Sequence, residues 1–371
     1  MSEATEQLHS NSLALEPVHS LYGANFRDED SWRVPANYND TEGEYRVVRE
    51  GSGGVIDLSP RGRIIVSGAE AVMFLNGLIS NDMKTLAENH WMPAVFPTVQ
   101  GRIIAAVRVL RTADGFLLDT EPQTHQSVLK TIERFTLAGD FRITDVTTTT
   151  AMLTVQGRAA RQIVGAVVAD VPNLDRDGAV ESHWRDMKLT LLRATHTAED
   201  GFDFIVPTDN ATALWDTLVE AGARPVGYDA LETLRIEAGI ARYGHDMDET
   251  NVVTETNLDD AVSYTKGCYI GQEIIIRIRH RGHVAKKLTG LALDTRKPVE
   301  PATPVRGAAG NEIGRVTSAT FSPTIGKTVA LGYLRYEQAA AGTEVRIVRA
   351  DEEIEGKVSE LPFVRGSWYS R

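Results

Sequence analysis

Apolar positions recur along this chain at two spacings, and each spacing predicts its own kind of element. Val55-Ile56-Asp57-Leu58 and Arg63-Ile64-Ile65-Val66 are short apolar runs on either side of Ser59-Pro60-Arg61-Gly62. They predict two strands around a turn. Beyond Gly68, Ala71, Phe74, Leu75 and Leu78 fall three and four residues apart, which predicts a helix closed by Asn81-Asp82. Residues 94–99 and 102–110 flank Gln100-Gly101, a hairpin turn pair. Residues 115–119 and 141–146 predict strands. Between them, 122–137 predicts an amphipathic helix with Val128, Ile132 and Phe135 on one face.

The pattern then repeats. Residues 152–157 and a helix through Ile163 and Val167 echo 64–68 and its helix. Residues 201–205 and a helix through Leu214, Trp215 and Leu218 echo 115–118 and its helix. This self-similarity predicts an α+β region of two βαβ-like halves, each sheet covered on one face. A helix over 229–239 follows. Past residue 286 the text changes to short strands, at 288–293, 303–306, 312–320, 329–334 and 344–348, separated by Gly, Pro and Asn. That spacing predicts a compact antiparallel barrel. The expected organisation is a frayed extension over 1–16, a duplicated region over 17–285 and a barrel over 286–371. Residues 17–49, with Trp32, Pro35 and Tyr38, form a mixed entry segment.

Composition narrows the class. The chain has 371 residues, 42% hydrophobic and 24% charged, as in an ordinary soluble globular protein. Its formal net charge of −12 argues against a general nucleic-acid or anionic-membrane surface. No apolar run reaches ~18 residues and no apolar leader opens the chain, so a cytoplasmic protein without membrane partners is expected. A single cysteine forbids an intrachain disulfide and any multi-cysteine metal cage.

That cysteine lies in Lys266-Gly267-Cys268-Tyr269-Ile270-Gly271-Gln272-Glu273. Two glycines flank its core and permit a tight turn or a close approach. Lys266, two positions before the thiol, can favour the thiolate. Arg277, Arg279, His280, Arg281, His283, Lys286 and Lys287 follow without an acid until Asp294. Read from residue types alone, a small buried residue beside a solvated basic strand competes with a reactive thiol. His280 and His283 lack a third ligand at metal-binding spacing, so no metal site is expected. Asp259-Asp260 suits a turn.

The octet resembles the signature of YgfZ-type folate-binding proteins, relatives of the glycine-cleavage T-protein that work in iron–sulfur cluster assembly or repair. The likeness extends over roughly residues 17–365. Arg235-Ile236-Glu237-Ala238-Gly239 and Tyr243-Gly244-His245-Asp246-Met247-Asp248 are similar to the R-x-E-A-G…Y-G-x-D-x-D stretch of T-proteins. Gly314-Arg315-Val316-Thr317-Ser318 with Phe321-Ser322-Pro323 resembles the opening of their last domain, and Leu361-Pro362-Phe363-Val364 its last strand. The resemblance implies a duplicated folate-binding region and a C-terminal barrel around a central channel. It implies tetrahydrofolate or a one-carbon derivative as cofactor, and iron–sulfur proteins or their assembly machinery as partners.

Residue by residue, the resemblance implies that Asp203 bonds the pterin ring. Arg235 meets the glutamate tail or anchors its helix, Tyr243 lies nearby, and Cys268 is the functional thiol. It also exposes a departure. Aminomethyl-transferring T-proteins carry Asp-Asp after G-x-I-I, and here Gly101-Arg102-Ile103-Ile104 is followed by Ala105-Ala106. A methyl group accepts no proton. Tyrosines of the pterin slot are also replaced, near Pro93 and Leu110. The leading expectation is a folate-binding protein supporting iron–sulfur enzymes. A folate-dependent aminomethyltransferase and a non-catalytic folate-sensing scaffold are the alternatives.

Overall fold

A computed structural model gives the architecture and describes residues 11–135, 139–169, 171–349 and 352–370. The chain opens with β1 (Asn11–Ser12), α1 (Glu16–Leu21), β2 (Asn25–Glu29), β3 (Trp32–Asn37) and α2 (Thr41–Arg49). Next come β4 (Gly54–Asp57), β5 (Gly62–Ser67), α3 (Ala71–Leu78), β6 (Trp91–Pro97), β7 (Ile103–Thr112), β8 (Gly115–Thr120), α4 (His125–Arg134) and β9 (Arg142–Asp145). The second run is β10 (Thr150–Gln156), α5 (Ala160–Val167), β11 (Ala179–Trp184), β12 (Met187–Arg193), β13 (Gly201–Pro207), α6 (Ala211–Glu220) and β14 (Arg224–Pro225). Helices α7 (Tyr228–Glu237) and α8 (Gln272–Arg281) lead into the last domain. Its strands are β15 (Lys286–Leu293), β16 (Pro304–Gly307), β17 (Glu312–Ser322), β18 (Lys327–Arg335), β19 (Glu344–Arg349) and β20 (Glu352–Ser359).

The internal repeat is real at the level of sheet order. One sheet runs β6-β7-β8-β5-β9 and the other β11-β12-β13-β10-β4-β14. The βαβ expectation is corrected, because β5–β8 and β10–β13 pair antiparallel. The chain returns to β5 through hairpins, so β8 arrives running the opposite way. The turn at 59–62 joins strands of different sheets: β4 pairs with β10, while β5 pairs with β8. Helices α3 and α4 cover one face of the first sheet through Leu75, Leu78, Val128 and Ile132. Helices α5 and α6 cover the second through Ile163, Val164, Leu214 and Trp215. The remaining faces meet each other and α7 through Ile56, Leu117, Met152, Ile205 and Leu234, so neither sheet is one-sided.

The barrel is closed and antiparallel in the order β15-β18-β17-β16-β19-β20, giving the expected α+β class. Its last strand is β20, not residues 361–364. Leu361 and Phe363 pack instead as apolar contacts on Ile236, Leu288 and Leu331. The expected extension does not run to residue 16, because Leu13 and Leu15 are buried. Residues 1–10 and Leu137 lie outside the described residues. Residues 277–281 of the basic run lie on helix α8, whose Ile275 is buried, while Lys286 and Lys287 open strand β15.

The bodies are tied together at the last turn of α7. Glu237 is fully buried and accepts from Arg49 of α2 at 2.8 and 3.0 Å. It also accepts from the Tyr45 hydroxyl at 2.8 Å and from Ser322 of the barrel. Arg49 reaches Glu199 at 3.0 Å and the Thr197 carbonyl at 2.7 Å. Removing one member leaves a buried charge without its counter-charge. Glu237→Ala is therefore expected to lose about 3–5 kcal/mol of stability, read as a lower urea midpoint. A loss under about 1 kcal/mol would show this pair to behave as a solvated one.

Candidate functional site

Cys268 is free and exposed, on the irregular segment just before α8. Lys266 is buried, and its Nζ donates to the carbonyls of Asn76, Ile79 and Asn81 at 2.7, 2.9 and 2.7 Å. These carbonyls lie at the C-terminal end of α3, where helical donors run out and the dipole is negative. Burial pushes the ammonium down to about 8. An ammonium has three N–H groups, and all three are used here. The expected role beside the thiol is corrected: Lys266 caps α3.

The other octet residues brace the same segment. Tyr269 buries its ring with Val95, Ile103, Met247, Val262 and Ile275, and burial pushes its hydroxyl up to about 12. The Ile270 N–H donates to the Gly77 carbonyl at 3.1 Å. Gly271 has φ +77°, and a Cβ there would stand 2.4 Å from the Thr98 carbonyl oxygen, so only glycine fits. Gln272 Nε2 reaches back to the Lys266 and Gly267 carbonyls at 3.5 and 3.4 Å, and exposed Glu273 pairs with Arg277. Gly267 differs from these. No atom lies within 4 Å of where its Cβ would be. The octet thus ties α3, the 97–103 turn and α8 together and leaves Gly267 and Cys268 uncovered.

The basic run disperses on α8 and after it. Arg279 lies over the Tyr264 ring at 3.9 Å and His283 stacks on Tyr336 at 5.1 Å. Both line a cleft of about 620 Å³ between α8 and the barrel, with Lys287 and Thr254. Among the described residues, no set of three His, Cys, Asp or Glu side chains is grouped as for a metal.

The second locus is a cavity of about 90 Å³ walled by Leu58, Arg61, Glu121, His196, Tyr228 and Arg235 among others. Asp203 lies behind that wall, fully buried on β13. Its oxygens are 3.0 and 3.1 Å from His196 Nε2, and Arg108 Nη1 is 2.7 Å from Oδ2. Burial alone would push its carboxyl up. The His196 Nε2–H and the Arg108 cation outweigh burial and hold it well below the usual carboxylate range. Arg108 Nε continues to Asp119 at 2.6 Å, and Arg61 bridges Asp119 and Glu121 at 2.7 Å each. Opposite charges therefore alternate from Asp203 to Glu121. Arg108 Nη2 is buried without a partner.

Arg235 lines the cavity as an anchor. A guanidinium has five N–H groups, and those of Arg235 go to Glu232 from Nε (2.9 Å) and Nη2, to the Ile240 carbonyl (3.2 Å), to Asp246 and to Ser318 (2.8 Å). Of its two expected roles, the helix-anchoring one is what the structure contains. Tyr243 stands away from the wall, half-buried against the Tyr269 cluster. Ala105 is buried beneath α3, and Ala106 packs on the Tyr269 cluster. Alternation along β7 puts Ala106 and Arg108 on one face. His196, Arg108, Arg61 and Asp119 were not singled out from sequence. Arg108 and Asp119 had one signal there, a polar residue inside an apolar strand, and His196 and Arg61 had none.

Residues 15–266 match the GCVT N-terminal domain and residues 286–365 the glycine cleavage T-protein C-terminal barrel domain. Cys268 and α8 fall between the two matched stretches. The chain is similar to the aminomethyltransferase of Rubrobacter xylanophilus, 33% identical over 94% of this chain and 92% of that one. The aminomethyltransferase of Alcanivorax borkumensis is 31% identical, over 96% and 97%. The crystal structure of glycine cleavage system aminomethyltransferase T from Bartonella henselae superposes with a TM-score of 0.89, at 26% identity, covering 96% of this chain and 98% of that one.

Replacing Lys266 by Ala leaves three carbonyls at the end of α3 without a donor. The expected loss is about 2–3 kcal/mol, with a matching fall in melting temperature. Gly271→Ala is expected to destabilise comparably, because φ and the Thr98 carbonyl both oppose a side chain. A wild-type melting temperature in either variant would show that the octet does not brace these elements.

Proposed function

The chain belongs to the glycine cleavage T-protein family, and from that premise we propose that it binds a reduced folate and supports iron–sulfur enzymes through the thiol of Cys268. Tetrahydrofolate, or a one-carbon derivative of it, is the ligand that the family membership supports. The chemistry of the cavity wall fits a pterin: it offers an unpartnered imidazole nitrogen on His196 and, just behind, an unpartnered donor on Arg108. The cavity of about 90 Å³ is smaller than the roughly 300 Å³ at which ligand pockets begin. Binding therefore moves wall side chains apart.

The observation that carries the thiol reading is the division of labour in the octet. Lys266, Tyr269, Ile270, Gly271 and Gln272 each have a structural contact, whereas Cys268 is exposed and adjoins a glycine that the fold does not require. The K-G-C-Y-I-G-Q-E signature supports the YgfZ-type assignment, and with it the pairing to iron–sulfur proteins. The proposed division of the chain is a folate-binding region over 17–285 followed by the barrel from 286.

A second reading, folate-dependent aminomethyl transfer, is the one favoured by the names of the relatives, which match this chain along nearly its whole length. Against it stands the local chemistry. Ala105 and Ala106 hold no proton-accepting group where the family's carboxylate pair is expected, and both methyls are packed in apolar clusters. Cytoplasmic location remains part of the proposal; among the described residues, no helix is long and apolar enough to cross a membrane.

Complementation separates the two readings. Cys268→Ala is expected to keep a near-normal melting temperature and folate affinity, yet to leave iron–sulfur enzyme activities unrestored in a deletion strain. Full complementation at wild-type expression would remove the thiol from the mechanism. The purified wild type, supplied with an aminomethyl-lipoyl carrier and tetrahydrofolate, is expected to release no ammonia above background. Robust folate-dependent release would establish the aminomethyltransferase reading instead.

A further inference from the structure

We propose that His196 is the residue that touches the ligand in the central cavity and that Asp203 is its positioning residue. This rests on the folate reading above and changes how that site recognises its ligand. The acceptor offered to the ring N–H of a bound heterocycle is an imidazole nitrogen, not the carboxylate.

Three observations lead there. Asp203 is fully buried and absent from the cavity wall, whereas His196 is on the wall with its side chain 18% exposed. Both Asp203 oxygens lie within 3.1 Å of His196 Nε2, and the Arg108 cation holds the carboxylate ionised. An ionised carboxylate only accepts, so Nε2 carries the proton and Nδ1 carries the lone pair. Finally, Nδ1 has no partner among the described residues. The other polar wall groups do: Arg61 pairs with Asp119 and Glu121, Glu232 with Arg235, Arg242 with Glu29 and Asp30, and the Tyr228 hydroxyl donates to the Asp57 carbonyl.

The backbone beneath the imidazole is fixed as well. The His196 N–H donates to Gln156 Oε1 at 2.9 Å, and Gln156 Nε2 donates to the Ala194 carbonyl at 3.1 Å. Fixed backbone and fixed tautomer leave one lone pair, on Nδ1, for a ligand in the cavity that His196 lines. The arrangement follows the rule by which a carboxylate sets the tautomer of a functional histidine. With Nε2 donating to Asp203, Nδ1 is the atom that accepts from a ligand N–H. The charged groups around it are Asp203 and Arg108 behind and Arg61, Glu121, Glu232, Arg235 and Arg242 along the wall, and the six last named each have a counter-charge.

Calorimetry with 5-formyltetrahydrofolate on the full-length protein tests this. His196→Leu is expected to bind about tenfold more weakly than wild type. His196→Gln, whose amide oxygen can accept, is expected to restore most of the affinity. Asp203→Asn removes the proton acceptor at Nε2, and is expected to weaken binding only while His196 is present. Melting temperatures of all variants are measured alongside. Unchanged affinity in a folded His196→Leu would overturn the inference and leave the folate reading standing. An additional large loss on adding Asp203→Asn to His196→Leu would show that the carboxylate itself touches the ligand. No binding by the wild type would end the folate reading and this inference together.

Discussion

One turn of helix α7 carries more of this structure than any other element. Arg235 and Glu237 stand two residues apart on it and project to different sides. Arg235 joins the 240–246 loop to Ser318 of the barrel, and Glu237 joins α2 to Ser322 of the same strand. Each is buried with its hydrogen-bonding groups engaged, which is the condition under which a buried charge is tolerated. Such a pair is not a strong source of net stability. It discriminates instead, because any other docking of the barrel strands an ion in a dry place. The position of the central cavity follows, since Arg235, Glu232, Leu231 and Tyr228 of α7 form its floor.

The octet applies a similar logic on a smaller scale. A lysine ammonium at the end of α3, a glycine pressed on the Thr98 carbonyl and a buried tyrosine ring fix three separate elements. What is left over is a short uncovered stretch with a thiol. Proximity along the chain assigns Lys266 to that thiol. The fold gives it to α3, because three unsatisfied carbonyls in a partly dry site outbid a solvent-exposed sulfur. The case for Cys268 therefore rests on exposure and on its neighbours' fixed positions rather than on a cationic partner.

Behind the cavity wall, charge placement follows the alternation along β7. Ala106 faces an apolar cluster, and two residues further along the same face Arg108 is drawn inward by Asp203 and Asp119. A carboxylate so surrounded is committed to its protein partners. His196, by contrast, lines the cavity, and its Nδ1 has no partner among the described residues.

The amino-acid order by itself determined the local elements. Short runs broken by Gly, Pro and Asn marked five of the six barrel strands and missed β20, three- and four-residue spacing marked α3 to α7, and repetition marked the duplicated sheets. The octet was equally legible, because eight fixed residue types in a row are a strong pattern. Only the tertiary structure decided what those elements meet. That β4 crosses to the second sheet, that Lys266 caps α3, and that His196 stands between Asp203 and the cavity are all contacts between residues brought together by chain reversal. Periodicity reports which face of an element is apolar. The partner on that face, and the burial that turns a charge into an anchor, depend on how the separate elements close on one another.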